Sequence, residues 1–199
     1  MNDRERILWG MVLIRAVVAW NRFCSVQAMN KRRAHILVVD DDHNDQFLIQ
    51  AAFKQVGVTE PVHAVDDGDD AICYLKGMGP YADRKKYVFP TFLLVDLKMP
   101  KVNGFELLQF LKQNPHLAVI PTIVFTSSAD RNDVTNAYLL GANSYQVKSQ
   151  TLPALCAQLK LIYDYWMTCE VPDIDRQGNL VVTEGSGKLS EKVPKPSTA

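Results

Sequence analysis

Five polar side chains stand where short apolar runs stop. Asp40 and Asp41 follow Ile36 to Val39, Asp96 follows Phe92 to Val95, Thr126 follows Ile120 to Phe125, and Lys148 follows Ser144 to Val147. If those runs are strands of one sheet, three carboxylates, a hydroxyl and an ammonium share a single rim. Two carboxylates about 5 Å apart repel by about 3 kcal/mol at an effective dielectric of about 20, so a trio of acids calls for a cation. Oxygen-only ligands at a partly open site suit magnesium, which keeps several waters and is readily shared with a phosphate. Lysine and threonine then offer charge and a hydrogen bond to phosphoryl oxygens, and Asp96, the central acid, is the natural nucleophile for an acyl phosphate.

The elements that must position these groups are legible as alternating patterns. Ile36 to Val39 reads as a buried strand, and Asn44 to Val56 as a helix with Leu48, Ile49, Ala52, Phe53 and Val56 on one side and Gly57 as its stop. Pro61 to Val65 is a short strand, Asp69 to Lys76 a helix ending at Gly77, and Phe92 to Val95 a third strand followed by the breakers of Met99 to Gly104. Asn103 caps a helix closed by Asn114 and Pro115, and Ile120 to Phe125 is a fourth strand. Asp130 caps a helix to Leu140, Ser144 to Val147 is a fifth strand, and Thr151 caps a last helix with Pro153 in its first turn and Trp166 on its apolar face. Five strands alternating with five helices predict an α/β fold, a parallel sheet covered on both faces by right-handed crossovers. In such sheets ligands bind beyond the carboxyl ends of the strands, where strand order reverses. That rule is what gathers Asp40, Asp41, Asp96, Thr126 and Lys148 in one cleft.

The remaining composition mostly excludes. Lysine plus arginine and aspartate plus glutamate are equal at 22 each in 199 residues, so no global charge points to nucleic acid or a membrane surface. Glycine-rich nucleotide loops are absent, and Cys24, Cys73, Cys156 and Cys169 are too scattered for a zinc or disulfide framework, which fits buried thiols in a reducing, cytoplasmic compartment. Residues 1–33 form an uncertain N-terminal extension. Ile7 to Trp20 is apolar but too short and too broken by Arg15 for a membrane span, and Met29, just before the first strand, is a candidate for the true start. Gly77 to Pro90 is a long loop with a basic cluster at Arg84, Lys85 and Lys86, read either as a solvated insertion or as a partner contact. Residues 169–199 are rich in Pro, Gly, Ser, Lys and Glu, the composition of a disordered tail.

The motifs ILVVDDD (Ile36 to Asp42), LLVDLKMPKVNG (Leu93 to Gly104), IVFTSS (Ile123 to Ser128) and SYQVKS (Ser144 to Ser149) together resemble the receiver domain of two-component response regulators, over about residues 34–168. Within that family the Gly79 to Asp83 loop is similar to stand-alone regulators of the cyanobacterial phytochrome type. The resemblance implies a flavodoxin-like sheet of strand order 2-1-3-4-5. It implies Asp96 as phosphoacceptor, Asp41 and Asp96 as direct Mg2+ ligands, Asp40 holding metal-bound water, and the backbone carbonyl of Lys98 completing the metal shell. Thr126 matches the hydroxyl that moves to the phosphoryl group, Tyr145 the aromatic switch, and Lys148 the phosphate-pairing lysine. The donor would be a sensor histidine kinase or a histidine phosphotransfer protein, and the output a changed binding surface on the fourth helix, fifth strand and fifth helix, which could also form a homodimer. No second folded domain is expected after Trp166, which argues against a fused DNA-binding module.

One departure stands out: the family commonly has a cis proline after the lysine, where this chain has Ser149, so the peptide is either strained or trans. Two other classes compete. A magnesium-dependent phosphatase would want D-x-D-x-T, which is missing because Asp96 is followed by Leu97 and Lys98. A degenerate receiver would act as a protein-binding scaffold without phosphorylation.

Overall fold

A computed structural model of the chain describes residues 34–172, 174, 175, 178, 179 and 181. The three central strands are apolar runs buried along their whole length: β1 (Ile36–Val39), β3 (Phe92–Val95) and β4 (Thr122–Thr126). Burial on both faces is why they read as continuous rather than alternating. β2 (Val62–Val65) and β5 (Ser144–Val147) are only partly buried and lie at the edges. All pairings are parallel, in the order β2-β1-β3-β4-β5. Register sets the rim: Val39 lies opposite both Val65 and Val95, and Thr126 opposite Val147. The acids after β1 and β3 and the lysine after β5 therefore leave the sheet side by side.

Among the described residues five helices cover the sheet. α1 (His43–Gln55) and α5 (Leu152–Thr168) close one core around Phe53, Phe92, Phe125 and Leu159. α2 (Gly68–Lys76) and α3 (Gly104–Gln113) close the other around Tyr74, Leu93, Val95 and Leu107. α4 (Arg131–Leu139) packs over a smaller cluster of Leu97, Leu108, Val124 and Ala137. Side-chain caps fix the rim ends of four of them. Asp42 accepts from Asn44 N, Asp67 from Asp70 N and Asp130 from Asn132 N, while Asn103 and Glu106 form a reciprocal capping box.

Several boundaries move for physical reasons. β2 begins at Val62 rather than Pro61, and β4 at Thr122 rather than Ile120; a proline precedes each first paired residue and supplies no N–H to a ladder. Asp42 is the cap of α1, so that helix starts at His43. Thr151 occupies the cap position of α5 without a side-chain hydrogen bond. Arg84 is not solvated: its guanidinium donates to the carbonyls of Tyr74 (2.8 Å), Leu75 (2.5 Å) and Tyr87 (3.2 Å), closing the end of α2 where the left-handed Gly77 leaves room. Tyr74, Tyr81 and Tyr87 pack together, Tyr87 meeting each of the other two rings in a T-shaped contact, around a short 3-10 turn at Gly79–Tyr81. Within the segment read as a disordered tail, Ile174 packs against the second core and Asp175 N donates to Asn179 O. Residues 182–199, and all of 1–33 with Met29 and Cys24, lie outside the described residues. Among the described residues no helix is long and apolar enough to cross a membrane.

Candidate functional site

The backbone joins the rim before any side chain does. Asp40 N donates to Val65 O (3.0 Å), Asp96 N to Val39 O (2.8 Å) and Lys148 N to Thr126 O (2.8 Å). Each polar residue is thus the first one past a strand, still held by its neighbour. Asp40 is 1% exposed, Asp96 8% and Thr126 0%, whereas Asp41 faces solvent. Carboxylate oxygens of Asp40, Asp41 and Asp96 all lie within 4.8 Å of one another. Lys148 Nζ completes the group, 2.7 Å from Asp40 Oδ2, 3.1 Å from Asp96 Oδ2, and 2.7 Å from Asp45 Oδ2.

Electrostatics follow from this crowding. Burial pushes the Asp40 carboxyl up to about 6, against the pull of Lys148 in the opposite direction. Burial alone would lower the Lys148 ammonium, but its hydrogen bonds to Asp40 and Asp45 and the nearby charge of Asp96 raise it well above the usual lysine range. One cation among four carboxylates leaves excess negative charge at a partly open, oxygen-only donor set. Those are the terms on which a divalent cation binds, and Asp40, Asp41 and Asp96 each offer one carboxylate oxygen that could hold one.

The loops add fixed donors. Asp96 Oδ1 accepts from Leu97 N (2.6 Å) and Lys98 N (3.3 Å), which leaves Oδ2 turned toward Lys148. The Lys98 side chain is exposed. Gly104 supports the same loop: a Cβ there would collide with the Asp96 carbonyl oxygen and lie 2.8 Å from Leu97 Cα. Thr126 Oγ1 accepts from Ser128 N (3.3 Å), and the Ser128 carbonyl accepts from the Tyr145 hydroxyl (2.9 Å), so one residue touches both positions read as the switch. Asp133 Oδ2 fixes that residue, accepting from Ser128 Oγ at 2.6 Å. No described peptide is cis, so Lys148 to Ser149 is trans. Gln158 of α5 holds this turn, accepting from Ser149 N (3.3 Å) and Oγ (3.0 Å) while donating to Val147 O (2.9 Å).

All the rim residues named from sequence, Asp40, Asp41, Asp96, Thr126 and Lys148, are brought together. Asp45, Asp133 and Gln158 were not foreseen. The strand-end rule looks only at residues that follow strands, and Asp45 reaches the same rim from the first turn of α1 because only three residues separate β1 from that helix. Its place as the acid of the first helical turn, close behind a strand-end pair, is the signal that could have found it.

Comparison with known proteins bears on this geometry. Residues 36–160 match the family model of the response regulator receiver domain. Response regulator Rcp1 of Synechocystis sp. is 34% identical over 132 residues, which cover 66% of this chain and 88% of that protein. The crystal structure of the phosphorylated cyanobacterial phytochrome response regulator RcpA superposes with a TM-score of 0.65 at 34% identity, covering 71% of this chain and 99% of that one. The Mn(2+)-bound form of Rcp1 gives a TM-score of 0.60 at 34% identity, covering 70% and 99%.

Proposed function

The chain belongs to the response regulator receiver family, and from that premise we propose that it accepts a phosphoryl group on Asp96 from a sensor histidine kinase or a histidine phosphotransfer protein in the cytoplasm. The observation that supports this most is the single ammonium of Lys148 shared between Asp96 and its deeply buried neighbour Asp40. A buried acceptor beside a cation is arranged for charge that arrives, since the ammonium that will pair with the new anion already lies at the site.

In the transfer, an oxygen of Asp96 attacks phosphorus, the bond from phosphorus to the donor imidazole breaks, and the electron pair leaves with the nitrogen. Asp40, Asp41 and Asp96, with the carbonyl of Lys98, would hold Mg2+, which when bound neutralises charge on the phosphoryl oxygens. RcpA in its phosphorylated form and Rcp1 with Mn2+ are the parallels for this chemistry. Lys148 then pairs with one phosphoryl oxygen and Thr126 donates its hydroxyl to another. Moving Thr126 disturbs Ser128, and through the Ser128 carbonyl it disturbs Tyr145.

The output is a binding surface. Tyr138 and Leu139 of α4, Val147 of β5, and Leu152, Leu161 and Tyr165 of α5 are exposed apolar side chains. Repacking of Tyr145 beneath this face changes its shape, and a homodimer through α4, β5 and α5 is the assembly it fits.

Incubation with acetyl phosphate and Mg2+ tests the reading. One stable phosphoryl group per chain, lost in Asp96→Asn, is the expected result. Turnover of many different phosphate substrates would instead indicate a phosphatase, and no incorporation would indicate a scaffold.

A further inference from the structure

An ammonium has three N–H donors, and in Lys148 all three are engaged: Asp40 Oδ2 and Asp45 Oδ2 at 2.7 Å each, and Asp96 Oδ2 at 3.1 Å. A phosphoryl oxygen beyond Asp96 can pair with Lys148 only if one of these contacts is given up or moved. The three partners are not equal in this respect. The Asp40 side chain is 2% exposed, and Asp96, 10% exposed, is itself the residue that takes the phosphoryl group and stays at the site. The Asp45 side chain is 36% exposed and borders an open cleft of about 270 Å3, lined also by Leu48, Val147, Lys148 and Gln150. Of the three, Asp45 is by far the most exposed.

The backbone that carries Lys148 is fixed on both sides. Its N–H is bonded to Thr126 O, and the following residue is clamped by Gln158 through two contacts. Any shift of charge toward a phosphoryl group therefore falls to the lysine side chain rather than to the loop. Asp45 is equally fixed, because it sits in the first turn of α1 behind the Asp42 cap.

We propose that Asp45 is a positioning residue that parks the Lys148 ammonium against α1 in the unphosphorylated protein, and that phosphorylation exchanges the Asp45 carboxylate for a phosphoryl oxygen. This rests on the phosphoacceptor reading and extends it with a specific competitor. The Asp45 pair stabilises the resting state and opposes the activated one, so it sets how readily the site takes an anion.

The test is titration of the full chain with beryllofluoride in excess Mg2+, followed by calorimetry or amide chemical shifts. Asp45→Asn removes the competitor and binds roughly twofold to fivefold more tightly than wild type, the upper part of the range expected for a partly exposed charge pair. Asp42→Asn is the control for plain charge: it removes one negative charge from the same helix terminus, and asparagine caps as well as aspartate. Its affinity changes less than twofold. Asp45→Glu, which keeps the charge and reach, returns affinity toward wild type. Thermal melting checks that each variant folds, with Asp45→Ala measured in parallel. Unchanged or weaker binding in both Asp45→Asn and Asp45→Ala overturns the proposal, as does equal tightening in Asp42→Asn. Absence of beryllofluoride binding by the wild-type protein would overturn the phosphoacceptor reading itself, and this proposal with it.

Discussion

Lys148 Nζ lies 2.7 Å from Asp40 Oδ2 although 108 positions separate the two residues; the Asp40 side chain is buried and that of Lys148 is mostly so. This pair holds β5 to β1 across the two strands between them, from the open end of the sheet. Breaking a buried pair from one side leaves an uncompensated charge, which costs far more than the pair contributes. Lys148→Ala is accordingly expected to lose about 3 kcal/mol of stability at about pH 7.5 in the absence of divalent metal, by urea denaturation. The loss should shrink when Mg2+ is added, because a second cation replaces the first. A loss below about 0.5 kcal/mol in chelator would mean that the acids do not depend on this lysine.

Asp40 makes the stability of the metal-free protein depend on pH in a defined direction. Burial raises its carboxyl from an ordinary 3.8 to about 6, so between those values the folded chain holds a proton that the unfolded chain has released. The contribution is present in full below about pH 4 and is lost as pH rises through about 6, on the order of 3 kcal/mol in all. Asp40→Asn removes that dependence. Relative to wild type, the variant should fare better at about pH 7.5 than at about pH 4.5, compared by chemical denaturation in chelator, and the reverse order would contradict the assignment.

How much of this was legible in the sequence divides along a physical line. Residues that end apolar runs were placed correctly, because a buried parallel strand has one register with its neighbours and its terminus is a fixed point. Asp40, Asp96, Thr126 and Lys148 belong to this class. Asp45 was not legible, because its role depends on the length of one loop and the reach of a lysine over a hundred residues away. Arg84 illustrates the other failure: a basic residue in a glycine-rich loop reads as solvated, and only the left-handed turn at Gly77 shows that its guanidinium has three carbonyls to cap.

Gly104 is required by close approach rather than by an unusual backbone angle. Any Cβ would meet the carbonyl oxygen of Asp96 and crowd Leu97 Cα, both backbone atoms that cannot rotate away. Gly104→Ala should cost about 2 to 4 kcal/mol by denaturation, in the range of overpacking at a tight site, and should displace Asp96 enough to slow its phosphorylation by acetyl phosphate. A variant with wild-type stability and labelling rate would show that the loop yields freely.

The Arg84 guanidinium serves structure. Arg84→Ala leaves the carbonyls of Tyr74, Leu75 and Tyr87 without this donor, at an expected cost of about 2 to 3 kcal/mol. Hydrogen exchange should accelerate in residues 77–90 and at the end of α2 while the rim stays protected. Faster exchange at Asp40 or Asp96 instead would link the loop to the site.

The central claim is that Asp96 itself carries the phosphoryl group. An acyl phosphate is reduced by borohydride at its carbonyl, converting the aspartate to homoserine, so phosphorylation in Mg2+ followed by borohydride and peptide mass mapping identifies the acceptor directly. Homoserine at position 96 and nowhere else is the expected result. Homoserine at Asp40 or Asp41, or an unmodified Asp96 in a protein that has taken up phosphate, would contradict it.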